Sequence, residues 1–151
     1  MTQPGRGDRV AVDSSVYFAA AWSPRGSARE LLAWGILGEL TLVISDFVYE
    51  ETEEHLTEKL PAGLPYFRQI KQAIGTSVGL PPQSLVEQAL EILDDPEDAP
   101  VVAGAVHGEA RYLATYDRRH LLRKSEEIRQ GFGLEVATPE QILLTLGLRS
   151  Q

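Results

Sequence analysis

The stretch DPEDAPVVAGAVHGEARYLATYDRRHLL, residues 95–122, decides the fold class. Asp95-Pro96 predicts a helix start, since proline is tolerated in a first turn and carboxylates suit the positive end of the helix dipole. The small-residue run that follows extends the helix to about His107. Arg111 to Thr115 then reads as a buried strand, followed by a short helix through His120-Leu121-Leu122. A stable helix-strand unit does not need carboxylates at both ends. Their purpose depends on which other carboxylates the fold brings alongside.

Outward from this unit the same alternation continues. Arg9-Val10-Ala11-Val12 is a short apolar strand ending at Asp13, and Ser14 to Ala21 is helical. Trp22-Ser23-Pro24-Arg25-Gly26 breaks the chain, after which Ser27 and Glu30 have the spacing of a capping box that opens a helix to about Leu37. Thr41 to Ile44 is a second strand, and Ser45 or Asp46 caps a helix through Val48, Tyr49 and Leu56 that Pro61 ends. A helix from about Tyr66 to Ile74 follows, then a Gly/Pro-rich connection with Val78 in a short strand. Leu85 to Leu93 has helical spacing. Leu134-Glu135-Val136 is a last strand, and Thr138-Pro139-Glu140 begins the C-terminal helix. Strands alternating with helices, with no hairpin signal, predict an α/β fold of three layers, α/β/α, around a central parallel sheet.

The 151 residues suit one domain with a sizeable core. Residues 1–8 are expected to be a flexible tail and residues 9–148 a single domain. No apolar run reaches the ~18 residues of a membrane span, and MTQPGRGDR carries no apolar leader, so a cytoplasmic protein without membrane attachment is expected. With no cysteine, disulfides, thiolate metal sites and cysteine nucleophiles are excluded. The net charge of −8 argues against a module that holds nucleic acid by charge alone, but less against a metal-dependent nuclease, whose cations reverse the local field.

In a parallel sheet, helices begin where strands finish, and ligands bind beyond the carboxyl ends of the strands. Asp13 follows the first strand, Asp117 follows the strand at 111–115, Asp98 lies at a helix start, and Glu51 lies about one and a half turns into the helix after the second strand. All four can reach one edge of the sheet. Their mutual repulsion calls for compensation, and hard divalent cations such as Mg²⁺ and Mn²⁺ prefer such oxygen ligands.

The order VAVDSSVY (10–17), VISDFVYEETEEHL (43–56), DDPEDAPVVAGA (94–105) and YLATYD (112–117) resembles the PIN-domain ribonucleases, most closely the VapC-like toxins of toxin–antitoxin pairs. The resemblance spans nearly the whole chain and implies a PIN-like fold with Mg²⁺- or Mn²⁺-dependent hydrolysis of RNA phosphodiesters. By position it implies Asp13, Glu51, Asp98 and Asp117 as metal-holding catalytic residues with Thr115 beside them. Among Glu50, Glu51, Glu53 and Glu54, the spacing from Ser45 in the family favours Glu51. The resemblance also implies an RNA substrate, a homodimer and, in the toxin branch, a cognate antitoxin. Residues 61–83 match little of that pattern.

Each acid also has an ordinary explanation. Asp13, Asp95 and Asp117 stand where helix caps belong, Asp98 lies in a first turn, and EETEE resembles a solvated face. Capping does not explain the acids' clustering at strand ends in family order. Arg118, Arg119, Arg123 and Lys124 follow Asp117 and are candidates for gripping RNA phosphates. His55, His107 and His120 show no metal-ligand spacing of their own. A receiver-like domain would need paired acids after the first strand and a strand-ending lysine, and a haloacid-dehalogenase-like phosphatase an aspartate at position 15, where Ser15 stands. A PIN-domain protein acting in RNA processing, or as a catalytically silent interaction module, is the alternative reading.

Overall fold

The computed structural model describes residues 8–74 and 76–149. The expected N-terminal tail, apart from Asp8, lies outside them.

Five short strands form one parallel sheet: β1 (Arg9–Val12), β2 (Thr41–Ser45), β3 (Thr76–Val78), β4 (Tyr112–Ala114) and β5 (Glu135–Ala137), in the order β3-β2-β1-β4-β5. Val10, Val12, Ile44 and Leu113 are almost wholly buried, as expected of strands covered on both faces. Among the described residues, eight α-helices connect and flank the strands: α1 (Ser14–Trp22), α2 (Ser27–Ile36), α3 (Asp46–Lys59), α4 (Leu64–Ala73), α5 (Gln83–Ile92), α6 (Ala99–His107), α7 (Ser125–Phe132) and α8 (Pro139–Thr145). One group of helices contains α1, α2, α4 and α8, and another contains α5, α6 and α7, while α3 touches both α1 and α6. This is the three-layer α/β/α architecture predicted above.

The strand order reverses on either side of β1, which pairs with β2 on one edge and β4 on the other. Val12 is in register with Ala114, and the Asp13 amide donates to the Ala114 carbonyl at 2.9 Å. Asp13 and Thr115 thus leave the sheet side by side at its topological switch point, where open α/β sheets leave a crevice. Helix α6 lies close against the sheet because its residues are small. A Cβ on Gly104 would stand 3.0 Å from the Ser45 Cβ, so a larger residue there would push the helix away from β2.

The structure departs from the expected boundaries in three places. Ser27 and Glu30 form no capping box: Gly26 is the N-cap and makes no side-chain cap bond. Glu30 is drawn instead to the Arg149 guanidinium, since an ion pair outcompetes a weak cap for the carboxylate. The capping box in this fold is at Thr138, paired with Gln141. Helix α6 begins at Ala99 rather than Asp95-Pro96, because Asp95 closes a turn of its own by accepting from the Glu97 amide at 2.9 Å. After a 3₁₀ turn at Leu122–Lys124, α7 forms where no helix is predicted. Of the aromatic residues, Tyr17 is buried edge-on against Phe67, whereas Trp22 is 67% exposed and stacks on Phe18.

Candidate metal centre

Asp13 is the N-cap of α1, but its carboxylate makes no cap bond. Its Oδ2 accepts two hydroxyl hydrogen bonds, from Ser15 and from Thr115, each 2.8 Å. Thr115 is wholly buried and also accepts from the Asp117 amide at 3.0 Å. Ser15 accepts from the Tyr116 amide at 3.0 Å. The Thr-x-Asp turn is thereby tied to the start of α1, and the Asp13 side chain is held from two directions. Asp13 is only 6% exposed. Burial raises its pKa above the usual aspartate value, the Thr115 and Ser15 hydrogen bonds oppose the rise, and the Asp117 charge adds to it.

Glu51 is half-buried on α3 and accepts from the Ser14 hydroxyl at 2.8 Å. The other glutamates of its run are engaged elsewhere or face solvent. Glu53 accepts from Tyr49 and Arg68, and Glu50 and Glu54 are exposed. Burial raises the Glu51 pKa, the Ser14 bond opposes this, and the Asp13 charge adds to it.

Asp98 is the N-cap of α6 and, like Asp13, makes no side-chain cap bond. Its Oδ2 is buried without a hydrogen-bond partner, an arrangement that costs about 1–3 kcal/mol or more for a charged group. Its pKa is pushed up to about 6, first by burial and then by the charges of Asp117 and Asp95. Asp117 is tied by one oxygen, since Oδ1 accepts from the Arg119 and His120 amides at 3.1 Å each. Its Oδ2 lies 3.5 Å from His120 Nδ1, and that nitrogen is also 3.5 Å from the orphaned Asp98 Oδ2.

The four predicted acids interact electrostatically in a chain: Glu51 with Asp13, Asp13 with Asp117 and Asp98, Asp98 with Asp117. They are not drawn into one tight shell. Among the described residues, the group of metal-ligand side chains whose donor atoms all lie within 4.8 Å of one another is Asp95, Asp98 and His120. Mutual repulsion and separate hydrogen-bond partners keep the others apart. The donor set is mainly hard oxygen, and the orphaned Asp98 oxygen fits a divalent cation as its missing partner.

Ser14, Asp95 and His120 adjoin the predicted acids, although residue spacing does not single them out as site residues, while Ser15, whose place just after Asp13 allows a hydroxyl contact, makes one. The hint for His120 is its position three residues after Asp117. Of the basic run, Arg123 pairs with Asp94, and Lys124 lies 3.8 Å from Asp94 and 3.7 Å from Glu127. Arg118 and Arg119 are exposed, with no ion-pair partner among the described residues.

Beside Glu51, an open groove of about 840 Å³ runs between α3 and the segment before α6, lined by Phe47, Glu50, Glu54, Glu58, Pro96 and Glu97 among others. Among the described residues, no helix is long and apolar enough to cross a membrane.

A search of curated protein sequences finds no match. Among solved structures, the fold is similar to the crystal structure of PAE2754 from Pyrobaculum aerophilum. The TM-score is 0.62 and the identity 17%, with 96% of this chain and 94% of that chain covered. Residues 9–119 match the family model described as PIN domain, and the chain belongs to the PIN domain family.

Proposed function

We propose that the chain is a Mg²⁺- or Mn²⁺-dependent endoribonuclease in which Asp13, Glu51, Asp98 and Asp117 hold the cation. The observation that carries this reading is the buried, partnerless Asp98 Oδ2 among other carboxylates at the sheet's switch point. Neither Asp13 nor Asp98 caps its helix through its side chain, so side-chain capping does not account for either acid. A divalent cation bound here would supply Lewis acidity toward a phosphoryl oxygen and lower the pKa of a water.

The chain's own residues supply the positioning. Thr115 and Ser15 fix the Asp13 carboxylate through Oδ2, and Ser14 fixes Glu51. The backbone amides of Arg119 and His120 hold Asp117 by one oxygen. Arg118 and Arg119, free of acidic partners among the described residues, grip the RNA backbone beside the acids. Arg123 and Lys124 are a weaker choice, because Arg123 is paired with Asp94 and Lys124 lies near Asp94 and Glu127.

The proposed biological setting is a cytoplasmic toxin, active as a homodimer and silenced by an antitoxin. The proposed antitoxin contact is the groove that Glu51 also lines, whose exposed Glu50, Glu54 and Glu58 would attract a basic segment while Phe47 and Pro96 offer apolar contact, so that a bound partner would cover Glu51. RNA then approaches from the Arg118 side.

Cleavage of a structured-RNA pool in Mn²⁺, Mg²⁺ or EDTA tests the activity, with wild type and Asp98→Asn purified identically. Metal-dependent cleavage lost in the variant supports the assignment. Equal cleavage by both proteins contradicts it, and absence of cleavage by either favours the silent interaction module.

A further inference from the structure

His120 is not explained by the four-carboxylate site, yet it stands beside two of its acids, Asp98 and Asp117. Its backbone amide is held by Asp117 Oδ1 at 3.1 Å, which turns the ring back over the acids. Nδ1 then lies 3.5 Å from Asp98 Oδ2 and 3.5 Å from Asp117 Oδ2. Neither approach is a hydrogen bond: the Asp98 oxygen is buried and remains without a partner although the imidazole faces it. The Asp98 oxygen and the ring nitrogen stand just beyond bonding distance of each other, as two ligands of a shared ion would. The donor atoms of His120, Asp98 and Asp95 lie within 4.8 Å of one another, as ligands about 2.0–2.3 Å from one centre can.

We propose that His120 is a cation ligand through Nδ1, so that this centre takes a nitrogen donor together with the carboxylates of Asp98 and its neighbours. The inference rests on the cation-site reading above and refines it. An all-oxygen site suits Mg²⁺, whereas imidazole suits transition metals, and affinity at mixed nitrogen–oxygen sites rises along the series from Mn²⁺ through Co²⁺. The centre therefore selects Mn²⁺ and its heavier neighbours over Mg²⁺, and His120 sets that preference. His120 is 40% exposed by its side chain, so its replacement leaves the core intact.

The full chain is loaded with Mn²⁺ alone and examined by pulsed electron paramagnetic resonance for ¹⁴N coupling. Mn²⁺ and Mg²⁺ affinities are measured by calorimetry on wild type, His120→Ala and Asp98→Asn. The expected result is a directly bound ¹⁴N signal in wild type that His120→Ala abolishes. The same variant should weaken Mn²⁺ binding about 10-fold or more, with Mg²⁺ affinity changed about 2-fold or less. Mn²⁺ bound in an Asp98-dependent way without a ¹⁴N signal overturns the ligand role while the carboxylate site stands. No Mn²⁺ binding by wild type overturns both. Circular dichroism verifies that each variant is folded.

Discussion

Asp13 and Asp98 are the same residue type at the same kind of position, the residue before a helix at the carboxyl edge of the sheet, yet their surroundings are opposite. Asp13 has its Oδ2 bound by two hydroxyls and tied through Thr115 to the next strand. Asp98 faces Asp117 and His120 with an oxygen that accepts no hydrogen bond. The fold spends hydroxyl groups to make one acid rigid and leaves the other open to an external charge. In the proposed cation site, that difference separates a framework side, built by β1, α1 and β4, from a receiving side built by α6 and the turn after Asp117.

The comparison can be tested by changing each side in turn. The largest effect is expected on the receiving side: Asp98→Asn should lower metal-dependent RNA cleavage by about 10²-fold or more, measured as single-turnover rates with Mn²⁺. On the framework side, Thr115→Val keeps every carboxylate but removes the buried hydroxyl. We expect a loss of about 10–100-fold in rate or metal affinity, and about 1–3 kcal/mol of stability from the carboxylate left without that donor, read by urea unfolding. If Thr115→Val retains full activity, the framework role fails.

A smaller effect, opposite in sign, separates activity from stability. The Asp98 pKa is raised from 3.8 to about 6, so between these values the folded protein holds a proton that the unfolded chain has released. Its contribution to stability is full below the lower value and is lost as pH rises through about 6. In EDTA at pH 7, Asp98→Asn should therefore be more stable than wild type, by about 1 kcal/mol after allowance for solvent screening. It should also show a flatter stability profile between pH 4 and 6. Cation binding to wild type should weaken over the same range as the acid takes up its proton. The smallest effect concerns the basic run. Arg118→Ala and Arg119→Ala should each weaken RNA binding and reduce the salt dependence by about one phosphate contact. Arg123→Ala, already paired with Asp94, should change binding less. Filter binding at several salt concentrations measures all three.

Much of this was legible in the chain, and the misses have identifiable causes. Strand runs and their alternation with helices are local signals, and they predicted the parallel sheet. Thr115 and Asp117 stand two residues apart, so their shared turn is also visible locally. The capping box at Ser27 failed because Glu30 is engaged by Arg149, far along the chain. Helix α7 was missed because SEEIRQGF holds only Ile128 as a buried apolar anchor. Its stability comes from packing against β5 and α5, which no short window shows. The hydroxyl support of Glu51 joins residues 37 positions apart. The imidazole over Asp98 depends on the path of a turn, so residue spacing alone does not show either contact.

The Asp98 oxygen, which accepts no hydrogen bond, is the proposed place of a divalent cation. The most direct measurement is anomalous diffraction at the manganese edge from crystals grown or soaked with Mn²⁺. A peak is expected about 2.1 Å from Asp98 Oδ2, between the α6 start and the Asp117 turn. A peak confined to the glutamates of α3, or crystals saturated with Mn²⁺ that show none near Asp98, would contradict it.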